Sequence, residues 1–103
     1  MSRELRYTDK ALADLDAARH WLMQPGSGAA ARRRLTALWS SIDGLREHPC
    51  LWPVGQYRGV RELPCDGGYR VLYRVSPDTG RDGTAGDVFV LRVFGPGQVR
   101  EQF

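Results

Sequence analysis

Tyr69-Arg70-Val71-Leu72-Tyr73-Arg74-Val75 decides the fold. The segment is rich in β-branched and aromatic residues and reads as a strand rather than a helix. A period of two places Tyr69, Val71, Tyr73 and Val75 on one face. Working outward, Asp66-Gly67-Gly68 marks a tight turn and Val60–Leu63 reads as the preceding strand. On the other side, the glycine- and aspartate-rich stretch Ser76–Gly86 predicts a flexible hairpin loop, and Asp87–Phe94 a final strand. In that strand the same period assigns Phe89, Leu91 and Val93 to the apolar face. The opposite side of the sheet then carries Arg70, Leu72, Arg74, Val88, Val90 and Arg92, a mixture of arginines and aliphatics with no third layer to cover it. Function is expected there.

Upstream the periodicity becomes helical. Arg3–Tyr7 is a short edge strand, and Thr8 or Asp9 offers an oxygen to cap a helix. Ala11, Leu15, Ala18 and Leu22 form its buried stripe, with Lys10, Asp14, Asp16 and Arg19 placed away from it. Gln24-Pro25-Gly26 ends that helix. Ser27 or Gly28 opens a second one, in which Ala31, Leu35, Leu38, Ile42 and Leu45 recur at steps of four and three before His48-Pro49. So short a connection predicts an antiparallel helical hairpin. The expected fold is therefore α+β, in the order β-α-α-β-β-β, with an N-terminal edge strand and the hairpin packed on a small antiparallel-rich sheet.

Size and composition agree with one domain over residues 1–103. Hydrophobic residues make up 42% and charged residues 26%, the proportions of a folded globular chain. The formal charge is +3, and Lys10 is the single lysine against fourteen arginines. Arginine forks onto carboxylates and phosphates, so the surface suits an acidic protein or a nucleic-acid backbone. A GC-rich genome produces the same bias toward Arg and Ala. Cys50 and Cys65 lack metal-ligand or CxxC spacing and read as reduced, semi-buried thiols, so neither metal nor cofactor is expected. Met1–Arg6 is polar and charged, no apolar run could cross a bilayer, and the cytoplasm is the expected compartment.

Other residues receive plainer readings. Trp21, Trp39 and Trp52 are expected to pack. Tyr69 and Tyr73 are expected to reach the core edge with their hydroxyls. Arg32-Arg33-Arg34 reads as a solvated helix face, with contact to DNA or an acidic partner as the alternative. Arg61 with Glu62 reads as a local charge pair, and His20 and His48 receive no chemistry.

Several segments in order resemble the RelE/ParE toxins of bacterial toxin–antitoxin pairs. They are Tyr7-Thr8-Asp9-Lys10-Ala11-Leu12-Ala13-Asp14-Leu15, Leu45-Arg46-Glu47-His48-Pro49, Gly59-Val60-Arg61-Glu62-Leu63, Tyr69–Val75 and Val88–Val93. The resemblance implies a toxin neutralised by a cognate antitoxin, which wraps it with an often acidic segment that orders on binding. A homodimer and a toxin–antitoxin heterotetramer both fit, and no membrane partner is implied.

RelE-like members are ribosome-dependent mRNA endonucleases, whose reaction needs proton transfer and cations around the phosphate. Arg70 matches that branch's strand arginine, with Arg61 and Arg100 as the remaining catalytic candidates in that case. ParE-like members poison DNA gyrase through protein contacts and need no acid–base residues. The Arg-Glu-Leu and Tyr-Arg-Val-Leu-Tyr-Arg-Val segments resemble ParE more closely, so no catalytic residue is assigned and gyrase is the expected target. Gly95-Pro96-Gly97-Gln98 departs from the basic or histidine-containing stretch of typical ParE chains. A toxin-like fold that retains only antitoxin binding is the third reading.

Overall fold

In the computed structural model, residues 3–96 are described. Strand β1 (Leu5–Tyr7) leads into helices α1 (Asp9–Leu22) and α2 (Gly28–Asp43), the latter extended by a 3-10 turn at Gly44–Arg46. Strands β2 (Arg61–Pro64), β3 (Arg70–Ser76) and β4 (Asp87–Phe94) follow, with a 3-10 turn at Asp66–Gly68 between the first two. The four strands form one mixed sheet in the order β1-β4-β3-β2, with β1 parallel to β4 and the other pairs antiparallel. The α+β hairpin-on-sheet architecture is the expected one.

Local chemistry accounts for the hairpin. Thr8 sits in extended backbone, and its Oγ accepts the Ala11 N–H at 3.0 Å while donating to the Leu91 carbonyl at 2.8 Å. One hydroxyl thus starts α1 and fixes it to β4. Ala11, Leu15, Ala18 and Leu22 are the buried residues of α1, and Ala31, Leu38 and Ile42 those of α2. They meet Tyr69, Val71, Tyr73 and Val75 in one apolar cluster. The Tyr73 ring is fully enclosed and its hydroxyl donates to the Pro49 carbonyl at 2.7 Å, so the chain after α2 is pinned to the core.

The period-two reading fails in β4. Leu72 pairs with Arg92 and Tyr73 with Val90, so Leu91 is an extra residue that bulges from the ladder. A bulge reverses which side chains face the helices. Val88 and Val90, expected on the outer face, are fully buried in the helix-side core, whereas Phe89 and Leu91 leave it half-buried. Val93 lies beyond the bulge and returns to the core.

Three further expectations need correction. Leu72 does face outward but is fully enclosed, packing with Val60 and Phe94 in a second cluster that Tyr57 and Leu91 flank. The loop that carries Tyr57 therefore covers part of the outer side. Trp21 and Trp39 are 65% and 41% exposed, so only Trp52 packs against the core as expected. Trp39 instead stands edge-on to Tyr7.

The Ser76–Gly86 connection is tied down at many points. Arg3 donates to the carbonyls of Arg46, Asp82, Ala85 and Gly86. Asp82 accepts the Cys50 N–H at 2.8 Å, and Asp78 holds Arg61. Aspartates that suggested solvated turns are the loop's anchors. Among the described residues, no helix is long and apolar enough to cross a membrane.

Candidate functional site

The outer face of the sheet is built from cross-strand pairs. Arg70 faces Phe94, Leu72 faces Arg92, and Arg74 faces Phe89. Alternation along β3 and the bulge in β4 together bring these six side chains to one side. Arg74 is exposed, Arg70 and Phe89 are half-buried, and Leu72 and Phe94 are sealed between them. The accessible part is thus a rim of arginine and aromatic surface around a closed apolar centre.

Arg92 is committed within the chain. Its Nε and Nη2 donate to the two carboxylate oxygens of Asp14 at 2.7 and 3.0 Å, and its guanidinium lies 4.7 Å from the centre of the Phe94 ring. Asp14 also accepts the Val93 N–H at 2.9 Å. β1 ends opposite Val90, so the edge of β4 beyond it lacks a strand partner. The α1 carboxylate supplies the missing acceptor. Arg92 raises no free charge toward a partner. The clue to this contact was readable: Asp14 lies three residues after Ala11 and four before Ala18, on the buried stripe rather than away from it.

Arg61 has the opposite placement from Arg70. It pairs with Tyr73 across β2 and β3, so its side chain lies on the helix side. There it forks onto Asp78, with Nε–Oδ2 at 2.9 Å and Nη2–Oδ1 at 3.0 Å, and also donates to the carbonyls of Trp52 and Cys50. The hydrogen bonds from Arg61 hold the Asp78 carboxyl below the usual range, and those to Asp78 raise the guanidinium further. The charge pair expected with Glu62 is replaced by this longer-range one. Arg70 and Arg61, two of the three nuclease candidates, are on different faces, and Arg100 lies outside the described residues.

The remaining polar groups offer little acid–base chemistry. Burial pushes up both thiols, Cys50 and Cys65, which disfavours a nucleophilic thiolate. His48 Nδ1 lies 3.3 Å from Asp82 Oδ2 at the exposed loop, away from the outer face. Among the described residues, no group of three or more His, Cys, Asp or Glu side chains could hold a metal ion.

A helical hairpin over a four-stranded mixed sheet, with arginines on the uncovered side, defines the RelE/ParE type of toxin fold. The chain belongs to the family described as the ParE toxin of the type II toxin-antitoxin system, parDE, whose family model matches residues 5–97. Among solved structures, it is similar to a chain of the chromosomal ParDE TA system from P. aeruginosa, with a TM-score of 0.63 and 22% identity. That match covers 88% of this chain and 92% of the other, and it shows a shared fold. No curated protein matches the sequence.

Proposed function

We propose that this chain is a growth-inhibiting toxin that poisons DNA gyrase through protein contacts and is neutralised by a cognate antitoxin. Membership of the ParE family supports the target. The observation that carries the choice against RNA cleavage is the placement of Arg61. Proton transfer and phosphate stabilisation need groups converging on one reacting centre. Here Arg61 is 9% exposed, bound to Asp78, and separated from Arg70 by the sheet.

Neutralisation is assigned to the outer face, where Arg70, Arg74 and Phe89 remain accessible around the sealed Leu72 and Phe94. An acidic segment that orders on binding gains arginine contacts and covers the aromatic edge. The similar chain from P. aeruginosa is part of a ParDE TA system, which supports an antitoxin as the partner here. Purified protein added to gyrase is expected to suppress supercoiling and leave translated mRNA intact. Cleaved mRNA with normal supercoiling overturns the proposal.

A further inference from the structure

Strand β1 closes one side of the sheet, and among the described residues no strand lies beyond it. The Val88 N–H donates to the Glu4 carbonyl at 2.9 Å, and the Thr8 N–H to the Val90 carbonyl at 3.0 Å. Backbone groups alternate in direction along a strand, so Glu4, Arg6 and Thr8 turn theirs toward β4. Leu5 and Tyr7 therefore turn their N–H and C=O groups outward. The opposite edge of the sheet is treated differently. There the Glu62 N–H donates to the Pro53 carbonyl and Val54 bridges to Arg61, so the chain's own loop covers β2.

The side chains along β1 suit a second copy of themselves. Leu5 and Tyr7 pack against the helix-side core, so Glu4 and Arg6 stand on the outer face. These two are exposed, of opposite sign and paired with each other. On the helix side, the exposed Trp39 stands edge-on to Tyr7, with ring centres 6.5 Å apart. Burial raises the Tyr7 phenol, Arg46 opposes that shift and Asp43 adds to it, so both charges lie close to the ring. They too pair with each other, at 3.0 Å. Edges that keep copies apart carry charge of one sign, often lysine. This edge carries pairs of opposite sign beside an uncovered aromatic ring.

We propose that a second copy of this chain pairs with the β1 edge, antiparallel about a two-fold axis at Leu5. In that register Leu5 meets Leu5 of the second copy, and the two exchange N–H and C=O groups. Glu4 then stands opposite Arg6 of the second copy, and Arg6 opposite its Glu4. A register centred on Arg6 instead sets like charges against each other and needs backbone groups that β4 already holds. The axis runs through the sheet, so the sheet continues across the join with both helical hairpins on one side and Trp39 beside it. The outer faces that carry Arg70 and Arg74 then lie side by side. So short a strand makes a small interface, and the association is expected to be micromolar. The pairing does not depend on the gyrase reading.

Sedimentation equilibrium of the full chain from about 5 to 500 µM is expected to show a reversible monomer–dimer equilibrium. Arg6→Glu and Glu4→Arg, taken singly, each turn both cross-strand charge pairs from attractive to repulsive. Each is expected to weaken self-association at least about tenfold. An equimolar mixture of the two variants restores opposite charge at every facing position. It is expected to associate within about threefold of the wild type. Hydrogen exchange at the Leu5 and Tyr7 amides should slow several-fold as the dimer fills, while Arg6, already bonded to β4, changes less.

Both substituted side chains are exposed, and circular dichroism checks that each variant folds. A chain that stays monomeric over the whole range overturns the proposal. So does a dimer that the single variants leave intact, or one that the mixture fails to restore. A dimer whose Leu5 and Tyr7 amides exchange as fast as in the monomer places the contact on another surface and overturns it too. Purified antitoxin that protects those amides on a chain monomeric by itself overturns it in favour of a strand from the antitoxin. A charge-dependent dimer that leaves supercoiling untouched keeps the edge pairing and removes the gyrase reading.

Discussion

Arg61 shows how one residue can look functional in a sequence and be structural in the fold. Within Arg-Glu-Leu its nearest acid is Glu62, yet consecutive strand residues point to opposite faces and cannot pair across the sheet. The carboxylate it meets, Asp78, is seventeen positions away in a loop whose path no local pattern encodes. The side chains of Arg61 and Asp78 are only 11% and 26% exposed, so loss of one partner strands the other in a largely dry site. Arg61→Gln is expected to cost about 3 kcal/mol in urea unfolding.

The pH dependence separates this pair from mere packing. Asp78 titrates below its unfolded value, so its contribution is complete above about pH 4 and is lost as pH falls through the folded value. The stability gap between wild type and Arg61→Gln should therefore be full at about pH 6 and much smaller at about pH 2.5. An unchanged gap at low pH would assign Arg61 a packing role only.

Element boundaries and faces were legible where the repeat was unbroken. The buried stripe of α1, the strand at β3 and the limits of β4 follow from spacing and residue type, because each element repeats its own period. The faces of β4 were not legible: the bulge at Leu91 inserts one residue, and Phe89-Val90-Leu91 is apolar on both sides of it. Any parity fits such a run. The capping of the β4 edge by Asp14 explains how the bulged strand is held. Asp14→Ala removes the acceptor of the Val93 N–H and the carboxylate that the Arg92 guanidinium forks onto, in a pair whose side chains are 13% and 18% exposed. A loss of about 3 kcal/mol is expected, with faster hydrogen exchange at the Val93 amide. Asp14→Asn keeps one acceptor oxygen and should cost about 1 kcal/mol. Equal losses in the two variants would mean that the edge contact contributes little.

At the scale of the whole molecule, the distribution of paired charge separates scaffold from surface. Asp14 and Asp78 are spent on the arginines that hold β4 and the long loop, while among the described residues no carboxylate pairs with Arg70 or Arg74 on the outer face. Leu72 cannot test that face, because its enclosure makes any truncation a core defect. Charge reversal can. With Arg70→Glu and Arg74→Glu together, stability should change by no more than about 1 kcal/mol, since among the described residues neither side chain forms an ion pair or hydrogen bond to another element. Affinity for the purified antitoxin should fall at least about tenfold, through slower association and a weaker dependence on salt. Calorimetric titration at two ionic strengths reads both effects. Unchanged affinity with an intact fold would move the antitoxin off this face, toward the exposed apolar residues Leu12, Trp21 and Met23 of the helical hairpin.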